Sequence, residues 1–399
     1  MESGELRAAL DRTERFIEAE HYRGYDPYDG LTSPLFRLPV LRSARLPRFA
    51  FQQLLKRLPF QVRPLLGIPK GYNPVTLALV LQAYVYRDKA GAGGAVRRER
   101  IDHLIEELAR LVTPGWSGSC WGYDFPWEAR YAGNPAGHPT VVATGIVANA
   151  LFEAWRLAGL TPAGDLVTGA VPFVRDDLRR TQEGETFCWS YSPTDDQAVL
   201  NATAKGARLC AQVHRIAPDD NLLDLASATL RFVADHQADD GGWPYSVGDA
   251  RTWRDNFHTG YVLDCMHEYG RLAGDDSFAP NVQAGLGYYL SHFFHDDVVP
   301  KYYDNALYPV DATACAQSIL TLIRFGRVER ASAVAEWCLD NLALPNGAFK
   351  YQIHRRHQIR IPYMRWSVAW MFLALSRLEL ELTGGGAERM GRPGRPVSD

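Results

Sequence analysis

The 399-residue sequence predicts an all-α fold, an (α/α)6 toroid in which six inner helices sit inside six outer ones. Three observations predict it. Apolar residues recur with helical periodicity along most of the chain, and strand-like alternation is nearly absent. Two kinds of helix alternate strictly: small-residue-rich stretches that are apolar nearly all round, which belong in a core, and stretches with one charged face, which border water. Five loops rich in Gly and aromatics also recur at a spacing of roughly 55–65 residues, the mark of a repeat architecture. A single helix pair cannot bury its own apolar face, so stacking around a closed ring supplies the core.

The elements follow in order. A first outer helix covers residues 3–20. Segment 21–72 holds the aromatic loop His21-Tyr-Arg-Gly-Tyr-Asp-Pro-Tyr28 and a basic helix near 46–58. Inner helices are expected at 73–88, 138–158, 196–215, 256–273, 310–325 and 363–383. The remaining outer helices are expected at 95–112, 163–181, 219–236, 276–294 and 328–342. Connections leading outward are short, such as Ala158-Gly-Leu-Thr-Pro162, whereas those returning inward are long and carry the aromatics. Long ordered loops in a compact domain are usually functional. One rim is therefore plain and the other elaborated. Residues 1–383 are expected to form one toroid domain, and the Gly/Pro/Arg-rich tail 384–399 to be disordered.

Composition excludes several classes. A net charge of −3 gives no basic footprint for nucleic acid. No apolar run looks long enough to cross a bilayer, so no transmembrane segment is expected. The six cysteines form no C-x-x-C pair and read as reduced, mostly buried thiols. The acidic start, Met1-Glu-Ser-Gly-Glu-Leu6, lacks the basic region of a secretion signal, and a cytoplasmic setting is expected. The chain is rich in aromatics, with 10 Trp, 19 Tyr and 17 Phe. Many of them stand in loops, where aromatic faces suit ligands as well as packing.

The inner-helix starts carry the polar candidates: Asn73, His138, Asp195 and Asp196, Asp255 and Asn256 with His258, Asp311, and Arg365. Asn and Asp there are equally suited to N-capping. Asn73, followed by Pro74, reads as a cap alone. Arg365 resists that reading, because a cation at a helix N-terminus opposes the macrodipole and needs an anion, from the protein or from a ligand. Asp255-Asn-Phe-His258 is the sharpest cluster. Residues three apart share a helix face, and a carboxylate beside an imidazole makes a general acid/base pair. Asp255 and His258 are the expected catalytic pair, with Asp311 as a second carboxylate across the cavity. The loop Trp121-Gly-Tyr-Asp-Phe-Pro-Trp127-Glu128 sets aromatics beside acids, which suits sugar rings. Trp121, Tyr123, Asp124, Trp127, Trp189, Trp243 and Tyr245 are the expected sugar platform, with His138, Asp196 and Arg365 as further binding residues. The basic loop His354-Arg-Arg-His-Gln-Ile-Arg360 on the same rim is either solvated or an anion contact. No metal-ligand spacing is present, and neither metal nor cofactor is expected.

Gln237-Ala-Asp-Asp-Gly-Gly-Trp243 resembles the Q-W repeat of squalene and hopene cyclases, in the terpenoid cyclase and protein prenyltransferase superfamily. This implies that the Gln caps a helix end while the Trp staples one repeat to the next. The cyclase signature Asp-x-Asp-Asp-Thr-Ala is matched only by Pro309-Val-Asp-Ala-Thr-Ala314. Asp311 keeps the middle acid, but Pro309 and Ala312 replace its flanking acids, so cyclase chemistry is not implied. Nearly end to end, the chain resembles the VpsJ-like toroid proteins of exopolysaccharide clusters. The resemblance is carried by Tyr22-Arg-Gly-Tyr-Asp-Pro-Tyr-Asp-Gly-Leu31, Arg63-Pro-Leu-Leu-Gly67, Asp240-Gly-Gly-Trp-Pro-Tyr-Ser246 with Asp255-Asn-Phe-His258, and Tyr363-Met-Arg-Trp366. It implies work on a surface polysaccharide or its precursor. The expected function is a carbohydrate-active enzyme, a hydrolase, epimerase or lyase-like enzyme, acting on an acidic, phosphorylated or lipid-linked sugar. An isoprenoid-binding toroid and a non-catalytic glycan-binding scaffold are the alternatives.

Overall fold

A computed structural model describes residues 3–39, 41, 44–129 and 133–384. The expected disordered tail lies, from residue 385 on, outside the described residues. The inner helices are α3 (Pro74–Arg87), α5 (Val141–Ala158), α7 (Leu200–Ile216), α9 (Asn256–Ala273), α11 (Ala312–Arg324) and α13 (Trp370–Leu382). Each packs against the next, and α13 packs against α3, so the ring closes. Around it lie α4 (Ala95–Arg110), α6 (Thr161–Thr168), α8 (Asp220–Asp235), α10 (Ala279–His292), α12 (Val328–Asn341) and, against α13, α1 (Ser3–Ala19). This is the (α/α)6 toroid. One further helix, α2 (Arg45–Arg57), lies in the first long connection.

Local chemistry explains the boundaries. Asn73 accepts from the Val75 N–H with Pro74 as the first helical residue, and its amide also donates to Asp124, so it does more than the capping the sequence suggests. Thr140, rather than His138, caps α5. Gly159 and Gly274 end α5 and α9 in the left-handed region (φ of 66° and 67°), which is cheap only for glycine and turns the chain outward at once. The helix expected over 163–181 stops at Thr168. Only a turn at 169–170 interrupts it; helical structure resumes through Pro172 into a π-helical stretch, Phe173–Asp177, and Arg180–Glu183 then pairs antiparallel with Thr186–Trp189 through a turn at Gly184. The next inner helix starts at Leu200 instead of 196, because Ala198–Val199 pairs with Ser246–Val247 first. This ladder and that of Val310–Asp311 with Gln352–Ile353 tie the loops of neighbouring repeats together along one rim.

Helix α5 is, by length and composition alone, apolar enough to span a bilayer, contrary to the sequence expectation; 78% of it is buried inside the ring. The staple at Gln237 forms as the repeat implies. Its amide donates to the carbonyls of Gly241 (2.8 Å) and of Asn281 (3.0 Å) on α10, while the Trp243 indole donates to Val233 (2.9 Å).

Candidate active site

The rim where the inner helices begin holds a cavity of about 400 Å³, within the roughly 300–1,000 Å³ usual for small-molecule sites. Ile146 of α5, Tyr261 of α9 and Trp370 of α13 form its floor. Its walls come from the long loops of several repeats: Tyr123 and Trp127, Tyr191, Tyr245 and Trp253, Tyr302 and Tyr303, and Trp366. Helix α2 closes one side with Phe49, Gln53 and Lys56.

Asp255 and His258 stand together in this wall. Asp255 caps α9, with Oδ1 accepting the His258 backbone N–H at 3.0 Å. Its Oδ2 lies 2.6 Å from His258 Nδ1 and accepts from the Trp253 indole at 3.2 Å. A carboxylate at that distance places a proton on Nδ1 and leaves the Nε2 lone pair outward. No protein group among the described residues engages Nε2, and the side chain is 24% exposed. The Tyr245 ring stands edge-on to the imidazole at 4.7 Å and stacks on Trp253 at 5.0 Å. An oriented imidazole in an aromatic cavity can take a proton from, or return one to, a bound molecule.

The other candidates divide. Tyr123, Trp127, Tyr245 and Arg365 line the cavity with the dyad. Arg365 meets its anion in the protein: Asp26 takes it bidentately at 2.7 and 2.9 Å, and this pairing outweighs burial to raise its pKa. It is therefore not a free anion holder. Asp311, expected as a second carboxylate in the cavity, is wholly buried. Both its oxygens are occupied, by Gln352 (2.8 Å), the Trp366 indole (3.1 and 3.2 Å) and the Thr313 backbone N–H (2.8 Å). Burial pushes its pKa up to about 6, against those hydrogen bonds. Its work is to cap α11 and hold Trp366 in the wall.

Trp121, Trp189 and Trp243 are not platforms. They are 0%, 0% and 2% exposed, and the Trp121 indole donates to the Leu108 carbonyl at 2.8 Å, as Trp243 does to Val233. Asp124 sits behind the wall, accepting from Asn73 at 2.6 Å, with its pKa raised by burial. His138 turns to Thr194 (3.0 Å) and Trp116, and burial lowers its pKa. Asp196 pairs with Arg179 in solvent. None of these three lines the cavity.

Sequence reasoning missed several lining groups. Tyr261, Phe257 and Trp370 lie on inner helices, where an aromatic reads as core. Lys56 comes from α2. Its ammonium donates to the Tyr28 hydroxyl at 2.7 Å and has no carboxylate partner among the described residues. Glu128 does have a signal, as the acid closing the aromatic loop after Trp127. Arg48 (3.0 Å) and Arg45 (3.6 Å) hold it.

No protein-family model matches the chain, and no curated protein matches it. Solved structures do, through the fold. The chain is similar to a GH76 α-mannanase from Bacteroides thetaiotaomicron (TM-score 0.58, 12% identity, 78% of this chain and 87% of that one). It is similar to a cellobiose 2-epimerase from Bacillus thermoamylovorans (TM-score 0.60, 10% identity, 80% and 90%). A UGL variant solved with the oligosaccharide dGlcA-Glc-Rha-Glc matches at a TM-score of 0.60 and 12% identity, over 93% and 94%. These likenesses place the chain among the α/α toroids.

Proposed function

We propose that this chain is a carbohydrate-active enzyme in which His258 Nε2, oriented by Asp255, moves a proton on a sugar bound in the aromatic cavity. The observation that carries the reading is the dyad itself, whose one open nitrogen borders stacked aromatic faces. Similarity to a mannanase and an epimerase of the same architecture supports a sugar as the bound molecule. Inverting and retaining glycosidases need two carboxylates with room to work. With Asp311 sealed and Glu128 clamped by two arginines, proton transfer beside a carbonyl or carboxylate fits better, as in an epimerase or lyase-like reaction. Lys56, with no carboxylate partner among the described residues, would meet an acidic group on the sugar.

The link to surface polysaccharide assembly and the cytoplasmic setting are carried by the sequence reading. A lipid-linked form of the substrate gains support from α2. Beside its cavity-lining face it turns Leu46, Ala50 and Leu54 outward, and Phe60 and Leu65 follow, exposed by 60% and 87%. Residues 30–70 hold eight basic side chains and no acid. Exposed leucines beside arginines suit an anionic lipid surface.

The test is to incubate the enzyme in D₂O with reducing oligosaccharides and uronides and to follow solvent deuterium entering the sugar by NMR. We expect incorporation with the wild type and its loss in His258→Gln. Incorporation that survives in both His258→Gln and Asp255→Asn would overturn the dyad as the proton-transfer group, and none by the wild type would leave the cavity a binding site without this chemistry.

A further inference from the structure

The lumen of the ring opens a second time, on the plain rim. A chamber of about 100 Å³ lies between the C-terminal halves of the inner helices, several times the roughly 10–15 Å³ that one water needs. Ile146, Tyr261 and Trp370 border both chambers and form the partition between them. Six cations (Arg156, Lys205, Arg208, Arg271, Arg324 and Arg377) line the lower chamber against three acids, Glu153, Asp264 and Glu268.

Those acids are already engaged. Arg156 grips Glu153 at 2.7 Å and, outweighing burial, brings it down to about 2. Arg324 reaches Asp264 and Glu268 at 3.4 Å each, while Gln317 donates to Asp264 (2.8 Å) and Gln212 to Glu268 (2.9 Å). Arg377 pairs with Glu381 at 3.1 Å and Arg271 is exposed to water, so two buried cations on α7, three residues apart and so on one face, are left over. Lys205 is 2% exposed, and its nearest partner is the Tyr261 ring, 3.4 Å from Nζ to the centroid. Arg208 is 6% exposed; it donates to the Gly145 carbonyl at 3.3 Å, and its Nε is buried with no partner. Neither makes an ion pair among the described residues. Helix C-termini carry partial negative charge and favour cations nearby, but that field acts within the last turn, and Lys205 and Arg208 lie two to three turns inside α7. An unpaired buried guanidinium is among the costliest groups a core can hold, and burial holds the Lys205 amine down to about 7, so it takes up a proton readily when an anion arrives beside it.

We propose that the lower chamber binds a small tetrahedral oxyanion, phosphate or the phosphate end of a small monoester, between Lys205 Nζ and the Arg208 guanidinium. The planar fork of Arg208 suits two oxygens of such an ion, and the ammonium supplies a compact charge from another direction. Arg156, Arg271, Arg324 and Arg377 ring the mouth and draw anions inward. The site is separate from the Asp255–His258 cavity and stands whether or not that cavity is catalytic.

Calorimetric titration of the full chain with inorganic phosphate, and in parallel with glucose 1-phosphate, tests this. Saturable binding of either is expected, weakened at least tenfold in the double variant Lys205→Met with Arg208→Met and unchanged in His258→Gln. Tighter binding of phosphate assigns the free ion, and tighter binding of glucose 1-phosphate assigns the monoester. The double variant keeps both aliphatic stems and gives up the Tyr261 ring contact and the Arg208–Gly145 hydrogen bond along with an unpaired guanidinium, so it is expected to melt close to wild type without ligand. If it fails to fold, Lys205→Met alone is expected to weaken binding at least tenfold. No saturable binding by wild type, or binding equally strong in the variants, overturns the proposal.

Discussion

The two oxygens of Asp255 face different partners, which sets the outcome of substitution there. Asn at this position keeps an acceptor for the His258 backbone N–H. It also turns an amide toward Nδ1, and the imidazole then prefers its proton on Nε2, the wrong nitrogen for a base. Asp255→Asn is therefore expected to lower kcat by about 10²–10⁴-fold while shifting the melting temperature little; turnover and thermal melts on one preparation check both. This pair was legible in sequence, because two residues three apart at a helix start share a face whatever surrounds them. Asp311 was not. Its donors arrive from Gln352 and Trp366, and only the fold brings them. Asp311→Asn would set an amide against those donors and is expected to cost about 1–3 kcal/mol in denaturant unfolding. Arg365 was half legible: a helix-start cation needs an anion, but the sequence does not say that Asp26, from the first loop, supplies it. Lys205 makes a pH prediction. Burial holds its amine down to about 7 from 10.5, opposed by the nearby charges of Cys265 and Asp264 and reinforced by Arg208. Between those values the unfolded chain carries a proton that the folded chain lacks, so this group makes stability rise with pH across the window. Lys205→Met is expected to remove that rise, measured as unfolding free energy between pH 7 and 10.

At the level of elements, the inner helices were easiest to place, since an all-round apolar stretch has one destination. The short ladders on the elaborated rim were invisible, because two-residue strands carry no alternation. The aromatic loops misled for a related reason. A Trp beside glycines reads as exposed, yet at Gly285 an added Cβ would come within 2.3 Å of the Trp243 ring, which shows how tightly that glycine admits the indole. Helix α2 inverts the usual arrangement, with Leu46 and Leu54 81% and 62% exposed. On the lipid-linked reading, sedimentation with vesicles containing anionic phospholipid is expected to retain the wild type. Leu46→Ser with Leu54→Ser should lower retention several-fold without changing the melting temperature. Equal retention of the two proteins would separate this face from the lipid.

For the whole molecule, alternation predicted both the number of helices and a closed ring, but the residues that seal the closure were hidden. Arg87, at the end of α3, is fully buried where first and last helices meet. It pairs with Glu14 and with Asp11 (2.7 Å) of α1 and with Glu379 (3.2 Å) of α13. Arg87→Met leaves Glu14 and Glu379 buried with weaker partners and is expected to cost about 3–5 kcal/mol, read as a shift in a single cooperative unfolding transition. The partition built from Ile146, Tyr261 and Trp370 has its own consequence. One face of the Tyr261 ring looks into the aromatic cavity, while the ammonium of Lys205 sits against that ring from the other chamber. A ligand that shifts this ring from either side alters affinity on the other, and by thermodynamic reciprocity the factor is the same in both directions. Two chambers that share one tyrosine plate are therefore expected to be linked, and a ligand on one side that displaces the ring should change the affinity measured on the other.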